Sequence, residues 1–312
     1  MDMQLLEKGL SAVEEAMMAI VDSDVNVLYD ASEHILSSGG KRVRPRVAFL
    51  AYLAAGGNEI EQVVPMATAV EMVHTATLVH DDINDHSVLR RGRPTVHSIW
   101  GRTFALLTGD YLFAKVYQMM APYGSRQNVI MSNACTRLVE GETLQATAAK
   151  AGEMDQETYK EVISRKTASL FEAAARMGAI QAGADEELEN ALAEYAYNLG
   201  LTFQIVDDIL DIIGDPETMG KPIGTDVSQG RGVMVAQNGH AAEMVLEETA
   251  VSAPNSVEQM INDLRESGAV QLARFQAQRV AQRAREALTA DPPSPARDEM
   301  EDLIEQVLNR DS

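Results

Sequence analysis

Two short stretches carry carboxylates at a spacing that can hold a metal ion. Residues 80–85 read His-Asp-Asp-Ile-Asn-Asp and residues 207–211 read Asp-Asp-Ile-Leu-Asp, so each is a DDxxD pattern. On a helix, residues one turn apart share a face. Asp81 and Asp85 therefore project together with Asp82 beside them, and Asp207, Asp211 and Asp208 repeat the arrangement. The residues upstream identify the face. Val63, Ala67, Val70, His74 and Thr77 lead into Asp81 in steps of three or four, and Ala193, Ala196, Gly200 and Phe203 lead into Asp207 the same way. Such stripes face an interior. Carboxylates that continue them repel one another and are costly to desolvate. A hard divalent cation relieves both costs, and an all-oxygen donor set points to Mg2+, which keeps positions open for substrate phosphates. One DDxxD arises easily at an acidic helix end. Two copies, each ending an inward stripe, are a far more specific signal.

The cations are placed as unevenly as the acids. Lys41, Arg42, Arg44 and Arg46 follow Ser37-Ser38-Gly39-Gly40, and Arg90, Arg91 and Arg93 fall within four positions, in a chain of formal net charge −21. Small residues beside cations let backbone N–H groups approach an anion. Arginine forks match phosphate oxygens. Two carboxylate walls and two cationic islands predict a bound diphosphate.

The elements that must position these groups read as helices. Of the 312 residues, 46% are apolar but only 5% aromatic; the composition favours helix formers over strand formers. Residues 4–20 are amphipathic, 45–55 are apolar up to Gly56-Gly57, 61–86 form a long periodic stretch, and a last helix follows Pro292, Pro293 and Pro295 to near Asn309. Loop signals at 92–94, 122–124, 152, 214–216 and 220–232 are too short for domain linkers. The expectation is one all-α domain over residues 1–312, a bundle of about ten or more helices around a deep central cavity.

Charge and composition also exclude function classes. So acidic a chain is a poor ligand for nucleic acid or for an anionic membrane surface. The single cysteine, Cys135, cannot form an internal disulfide, which suits a reducing cytoplasm. No apolar run nears the ~18–20 residues of a transmembrane segment, and Asp2, Glu7, Glu14 and Glu15 are unlike the basic start of a signal peptide. A cytoplasmic location is expected. His34, His86 and His97 read as ordinary histidines, Cys135 as a small buried residue rather than a nucleophile, and Gly178 and Gly200 as sites of close helix packing.

With these motifs in order, the sequence resembles the trans-isoprenyl diphosphate synthase (polyprenyl synthetase) family. Gly39-Gly40-Lys41-Arg42-Val43-Arg44-Pro45 resembles its GGKRxRP. His74 to Asp82 with Asp85 resembles the first aspartate-rich motif, followed by Arg90-Arg91-Gly92-Arg93-Pro94-Thr95. Gly109-Asp110-Tyr111-Leu112 resembles GDxL and Lys166-Thr167 the KT pair. Phe203-Gln204 leading into Asp207 resembles FQxxDDxxD, and Gly220 to Asp226 resembles GKPxGxD. One departure stands out: where the family reads GKxTLP, this chain has Gly230-Arg231-Gly232-Val233-Met234-Val235. Arginine is not equivalent to lysine at a phosphate, so the role of Arg231 is open.

The resemblance implies roles. Gly40, Lys41, Arg44, His74 and Arg91 would hold isopentenyl diphosphate. Asp81, Asp85, Asp207 and Asp211 would bind several Mg2+ ions, supported by Asp82 and Asp208. Arg90, Lys166, Thr167, Gln204, Lys221 and, if it substitutes for the family lysine, Arg231 would hold an allylic diphosphate primer. The reaction implied is 1′-4 head-to-tail prenyl transfer by a homodimer. Chain length would be read at Val73, Ala76 and Thr77; Ala76 and Thr77 are too small to plug a tunnel, so a product of geranylgeranyl length or longer is expected. Three rival readings have distinct signatures. A phosphohydrolase built on His80-Asp81 needs neither the second DDxxD nor GGKRxRP. A terpene cyclase would carry Asn, Ser and Glu in its second motif. A non-catalytic partner subunit would have lost aspartates.

Overall fold

Helix boundaries in the chain follow local chemistry. In the computed structural model, which describes residues 3–214, 224–233 and 254–310, helix follows helix: α1 (Met3–Ile20), α2 (Asn26–Leu36), α3 (Val43–Ala54), α4 (Val64–Asn84), α5 (Val96–Trp100), α6 (Arg102–Met120), α7 (Ser125–Ala151), α8 (Gln156–Ile163), α9 (Ser169–Ala182), α10 (Glu186–Ile213), α11 (Thr225–Ser228), α12 (Pro254–Glu266), α13 (Ala269–Ala287) and α14 (Pro295–Leu308). Asp155 starts α8 by accepting the Thr158 N–H at 2.8 Å, and Asp185 starts α10 by accepting that of Leu188 at 2.9 Å. Each satisfies a donor that a helix start leaves orphaned. Pro295 follows Ser294, whose hydroxyl accepts the Arg297 N–H at 3.1 Å, and the fixed φ of proline suits the first helical position. The helices predicted at 4–20, 45–55, 61–86 and up to 309 are thus found as α1, α3, α4 and α14.

The chain divides into two compact units: Met1–Asn133 with Ala173–Ala193 and Ala290–Met300, and Ala134–Glu172 with Glu194–Thr289 and Glu301–Ser312. In the first, α4 is the core element. Met66, Ala67, Val70, Met72, Val73 and Ala76 are fully buried as it packs on α6, α1 and α3. After α4 the chain makes the described residues' one piece of sheet, a hairpin pairing Leu89 with Pro94 and Arg90 with Arg93. Its two-residue turn, Arg91-Gly92, has φ of 52° and 73°, as a tight turn matching strand twist requires. The basic island at 90–93, whose surroundings the sequence left open, is therefore a short antiparallel hairpin.

In the second unit α10 runs through an apolar cluster that includes Tyr159, Ile163, Ile205, Val206, Ile209, Ile212, Val233, Ile261 and Ala273. Between α8 and α9 the backbone does not continue as an α-helix. Ser164–Ala168 form a π-turn, with the Ser169 N–H reaching back to the Ser164 carbonyl. Such single-turn widenings recur at functional sites; this one carries Lys166 and Thr167.

Close packing is set by glycines, two of them as expected. A Cβ on Gly178 of α9 would lie 2.3 Å from the Ala48 carbonyl oxygen of α3, and one on Gly200 of α10 would lie 2.8 Å from the Ala168 Cα. At Gly178 the obstacle is backbone and cannot rotate away. The helix-propensity gain of alanine, about 1 kcal/mol, should not offset an overpacking cost of about 1–3 kcal/mol. Gly178→Ala is expected to lower the thermal unfolding midpoint, measured by circular dichroism, despite its better helix former.

Candidate functional site

The first aspartate motif ends α4, and its middle residue is the buried one. Asp82 is 1% exposed, while Asp81 and Asp85 are partly exposed. The hairpin brings Arg90 to it: Arg90 Nε and Nη2 donate to Asp82 Oδ1 at 2.9 and 2.6 Å. Burial pushes the Asp82 carboxyl up, against the hydrogen bond and charge of Arg90. For Arg90, burial opposes the charged form, but the Asp82 hydrogen bond and charge outweigh it and raise the guanidinium. The other carboxylate oxygen, Asp82 Oδ2, is buried without a hydrogen-bond partner among the described residues. An orphaned buried oxygen of this kind is costly and calls for a cation or water.

The two cationic islands meet within this unit. A Cβ on Gly40 would lie 3.0 Å from Arg91 Nη1 and 3.2 Å from Arg42 Nη1, so both guanidiniums crowd the glycine. Arg91 Nη1 donates to Ser38 Oγ at 3.4 Å. Lys41 is exposed and Arg44 buried. Arg42, counted in the sequence among the cations of an anion-binding island, is instead paired internally. It is 6% exposed, and donates to Glu71 Oε1 at 2.8 Å and to Glu14 at 2.5 and 3.0 Å. An acidic residue inside the α4 stripe, at Glu71, was the available signal. His74 lies one turn on from Glu71. Burial, then the charges of Arg44, Arg91, Arg90 and Arg42, hold its imidazole well below the usual 6.5, so it is neutral at pH 7 and can both donate and accept. His80 leans on Gly109 of α6, where a Cβ would lie 2.1 Å from the ring, and its Nε2 is 3.2 Å from the Leu106 carbonyl oxygen. Val73 and Ala76 are fully buried, and Thr77 turns its hydroxyl onto the His74 carbonyl at 2.8 Å.

The second motif lies near the end of α10. Asp208 and Asp211 are buried and Asp207 is partly exposed. Asp208 is answered by donors rather than by a cation: Tyr159 OH at 2.7 Å and the Val233 N–H at 2.9 Å on Oδ2, and Gln204 Nε2 at 2.9 Å on Oδ1. Burial and the nearby Asp226 charge still push its carboxyl up to about 7, against the Tyr159 and Gln204 hydrogen bonds. Gln204 in turn accepts the Thr167 hydroxyl at 2.8 Å, which ties the π-turn to the motif. Lys166, from the same turn, donates to Gln145 at 2.9 Å and pairs with Glu142. The segment 224–233 lies against the motif, with the Asp226 N–H donating to Asp211 Oδ2 at 3.0 Å and Gly232, at φ 88°, next to Asp208. The Val233 donor is backbone, so this contact does not depend on the side chains that depart from GKxTLP. Arg231 sits on this segment, its N–H on the Asp226 carbonyl at 2.8 Å. Lys221 lies outside the described residues. Tyr159, Val233 and Arg310, which donates to Asp207 Oδ1 at 3.1 Å, were not singled out from the sequence; no spacing rule links such distant positions.

Among the described residues, no three His, Cys, Asp or Glu side chains form a ready-made metal cage. Asp82, Asp207, Asp208 and Asp211 each accept from a donor or cation of their own. The candidate donors nevertheless suit a hard divalent ion: they are all carboxylate oxygens, and Asp82 Oδ2 is buried without a hydrogen-bond partner among the described residues.

The sequence pattern of the Polyprenyl synthetase family matches residues 25–264. A short chain isoprenyl diphosphate synthase of Methanocaldococcus jannaschii is 40% identical over 231 residues, 72% of this chain and 70% of that protein. The octaprenyl diphosphate synthase of Escherichia coli K12 is 34% identical over 316 residues, 99% of this chain and 98% of its own. Among solved structures, a polyprenyl synthase from Caulobacter crescentus CB15, complexed with calcium and isoprenyl diphosphate, is similar with a TM-score of 0.93 at 33% identity, covering 99% of this chain and 97% of that one. The fold is accordingly the all-α isoprenoid synthase fold.

Two outcomes follow from the charges. Arg42→Gln leaves Glu71 buried without its cation and should cost about 3–5 kcal/mol in urea unfolding; adding Glu71→Gln should recover part of it. For His74, the unfolded chain takes up a proton near 6.5 while the folded chain resists it. The unfolded state therefore binds more protons just below that pH, and acidification costs stability. Asp208 has the opposite sign, since its folded carboxyl keeps a proton up to about 7. Comparing parent with His74→Gln cancels that term: the stability difference should shift in favour of the variant as pH falls below about 6.5.

Proposed function

The chain belongs to the polyprenyl synthetase family, and from that premise we propose that it is an all-trans polyprenyl diphosphate synthase. It condenses isopentenyl diphosphate with an allylic diphosphate primer in 1′-4 head-to-tail steps, to geranylgeranyl length or beyond. The observation that carries this reading is the pair of intact DDxxD motifs, each with a buried carboxylate, within the matched region.

In this reading Asp81 and Asp85 of one motif, and Asp207 and Asp211 of the other, supply ligands to Mg2+. The calcium and isoprenyl diphosphate bound by the Caulobacter protein support a divalent cation and a diphosphate here. Bound Mg2+ supplies Lewis-acid charge at the leaving diphosphate oxygens. Arg90, Lys166, Lys221 and Arg231 add positive charge at the same oxygens, and Thr167 and Gln204 orient the primer. Gly40, Lys41, Arg44, Arg91 and a neutral His74 hold isopentenyl diphosphate. The allylic C–O bond breaks, its electron pair leaving with diphosphate. The isopentenyl double bond forms the new C–C bond, and the condensed cation gives up a proton to the released diphosphate to regenerate an alkene. Excluding water protects the cation, and no side-chain nucleophile is required.

Small side chains at Ala76 and Thr77 support a long product, as does the similarity to an octaprenyl diphosphate synthase over nearly the whole chain. We also read the chain as one isoprenoid synthase domain, cytoplasmic, working as a homodimer. No described helix is long and apolar enough to cross a membrane. Phe104, Leu106, Leu107 and Tyr117 of α6 are exposed, an apolar set that suits a second copy.

Purified protein incubated with Mg2+, isopentenyl diphosphate and farnesyl diphosphate should yield elongated products, sized by mass spectrometry, that vanish with EDTA. Folded protein that elongates no allylic primer would instead point to a cyclase or an inactive partner subunit. Ala76→Phe should shorten the product distribution while the first additions persist; unchanged lengths would remove Ala76 from the chain-length role.

A further inference from the structure

The motif residue Asp207 has a neighbour from the far end of the chain. Arg310 stands two residues beyond α14. Its Nη2 donates to the Phe203 carbonyl at 2.8 Å and to Asp207 Oδ1 at 3.1 Å, and its guanidinium carbon lies 3.9 Å from the centre of the Phe203 ring. The arginine side chain is 9% exposed against 38% for the aspartate. A guanidinium this deeply desolvated for a half-exposed partner is poor value as a plain surface ion pair. It is well suited to fixing direction. Stacking on the ring sets the plane of the fork, and the backbone carbonyl sets its rotation. The carrier is firm: Leu303, Ile304 and Val307 of α14 are buried, Leu308 packs on the apolar cluster around α10, and Asn309 closes the helix through its N–H and side chain on the Glu305 carbonyl, each at 3.0 Å. Phe203 and Asp207 are one turn apart on α10, so one guanidinium clamps a full turn of the motif.

We propose that Arg310 is a positioning residue for the second aspartate motif: it takes Oδ1 of Asp207 and thereby presents Oδ2 to a divalent cation, making the chain's C-terminal residues part of the metal site's outer shell. The inference rests on the reading of Asp207 as a metal ligand. Outer-shell partners that orient a ligand commonly change metal affinity 10–100-fold when removed. Lysine retains the charge but neither the fork nor the stack, so a purely electrostatic role and an orienting role make different predictions for it.

The test measures Mn2+ binding to the full chain, with inorganic diphosphate present, from loss of the free-ion electron paramagnetic resonance signal. Parent, Arg310→Gln, Arg310→Lys and Asp207→Asn are compared, with thermal unfolding alongside. Arg310→Gln should weaken the affected Mn2+ about 10-fold or more, and Arg310→Lys should restore little of it, with Mg2+ half-saturation of prenyl transfer moving in parallel. Unchanged or tighter Mn2+ binding in folded Arg310→Gln overturns the proposal, as does full rescue by lysine. Should the glutamine variant not fold, parent-like Mn2+ affinity in Arg310→Lys is the overturning result. Weakening in Asp207→Asn but not in the Arg310 variants removes this inference alone; no weakening in Asp207→Asn removes the ligand reading beneath it.

Discussion

A carboxylate taken out of water on a helix face must be met by a cation or by donors, and much of this chain is arranged around that demand. The two middle aspartates are met in different ways. Asp82 has the Arg90 guanidinium on one oxygen and nothing among the described residues on the other. Asp208 has three neutral donors, from Tyr159, Gln204 and the Val233 backbone. Burial pushes both carboxyls up, Asp82 against its arginine and Asp208 together with the nearby Asp226 charge. Each answer requires a particular piece of backbone. The Arg91-Gly92 turn aims Arg90, the π-turn aims Thr167 at Gln204, and the left-handed Gly232 lets Val233 reach its aspartate.

The cationic side obeys the same rule in reverse. A cluster of arginines repels itself unless some members are neutralised. Arg42 is spent internally on Glu14 and Glu71, and its anchored backbone leaves Lys41 exposed beside it. One cation of the GGKRxRP stretch thus serves structure. Burial first, and then the charges of Arg44, Arg91, Arg90 and Arg42, hold the His74 imidazole below its ordinary range.

Glycines set the distances over which these partners can meet. Gly109 admits the His80 ring, and Gly141 brings α7 so near the π-turn that a Cβ would lie 2.6 Å from the Lys166 nitrogen. That approach places Gln145 and Glu142 against Lys166. Removing side chains at these points costs helix propensity, about 1 kcal/mol each, and the gain is close approach: the His80 ring reaches α6 and Lys166 reaches α7.

Local and periodic information was legible in the sequence. The helix-forming composition, the stripes leading into Asp81 and Asp207, the two cationic islands and the packing glycines Gly178 and Gly200 all follow from neighbours a few residues apart, where helical geometry is known in advance. What only the tertiary structure decided is which oxygen meets which donor. Glu71 with Arg42, Tyr159 with Asp208, and Arg310 with Asp207 are separated by 29, 49 and 103 residues. No periodicity spans such intervals, because the partners are chosen by how whole helices pack. The same holds for burial within each motif. Helical spacing puts three aspartates near one face, but only the packing around α4 and α10 buries Asp82 of the first motif and Asp208 and Asp211 of the second, and leaves Asp207 within reach of Arg310 and of solvent.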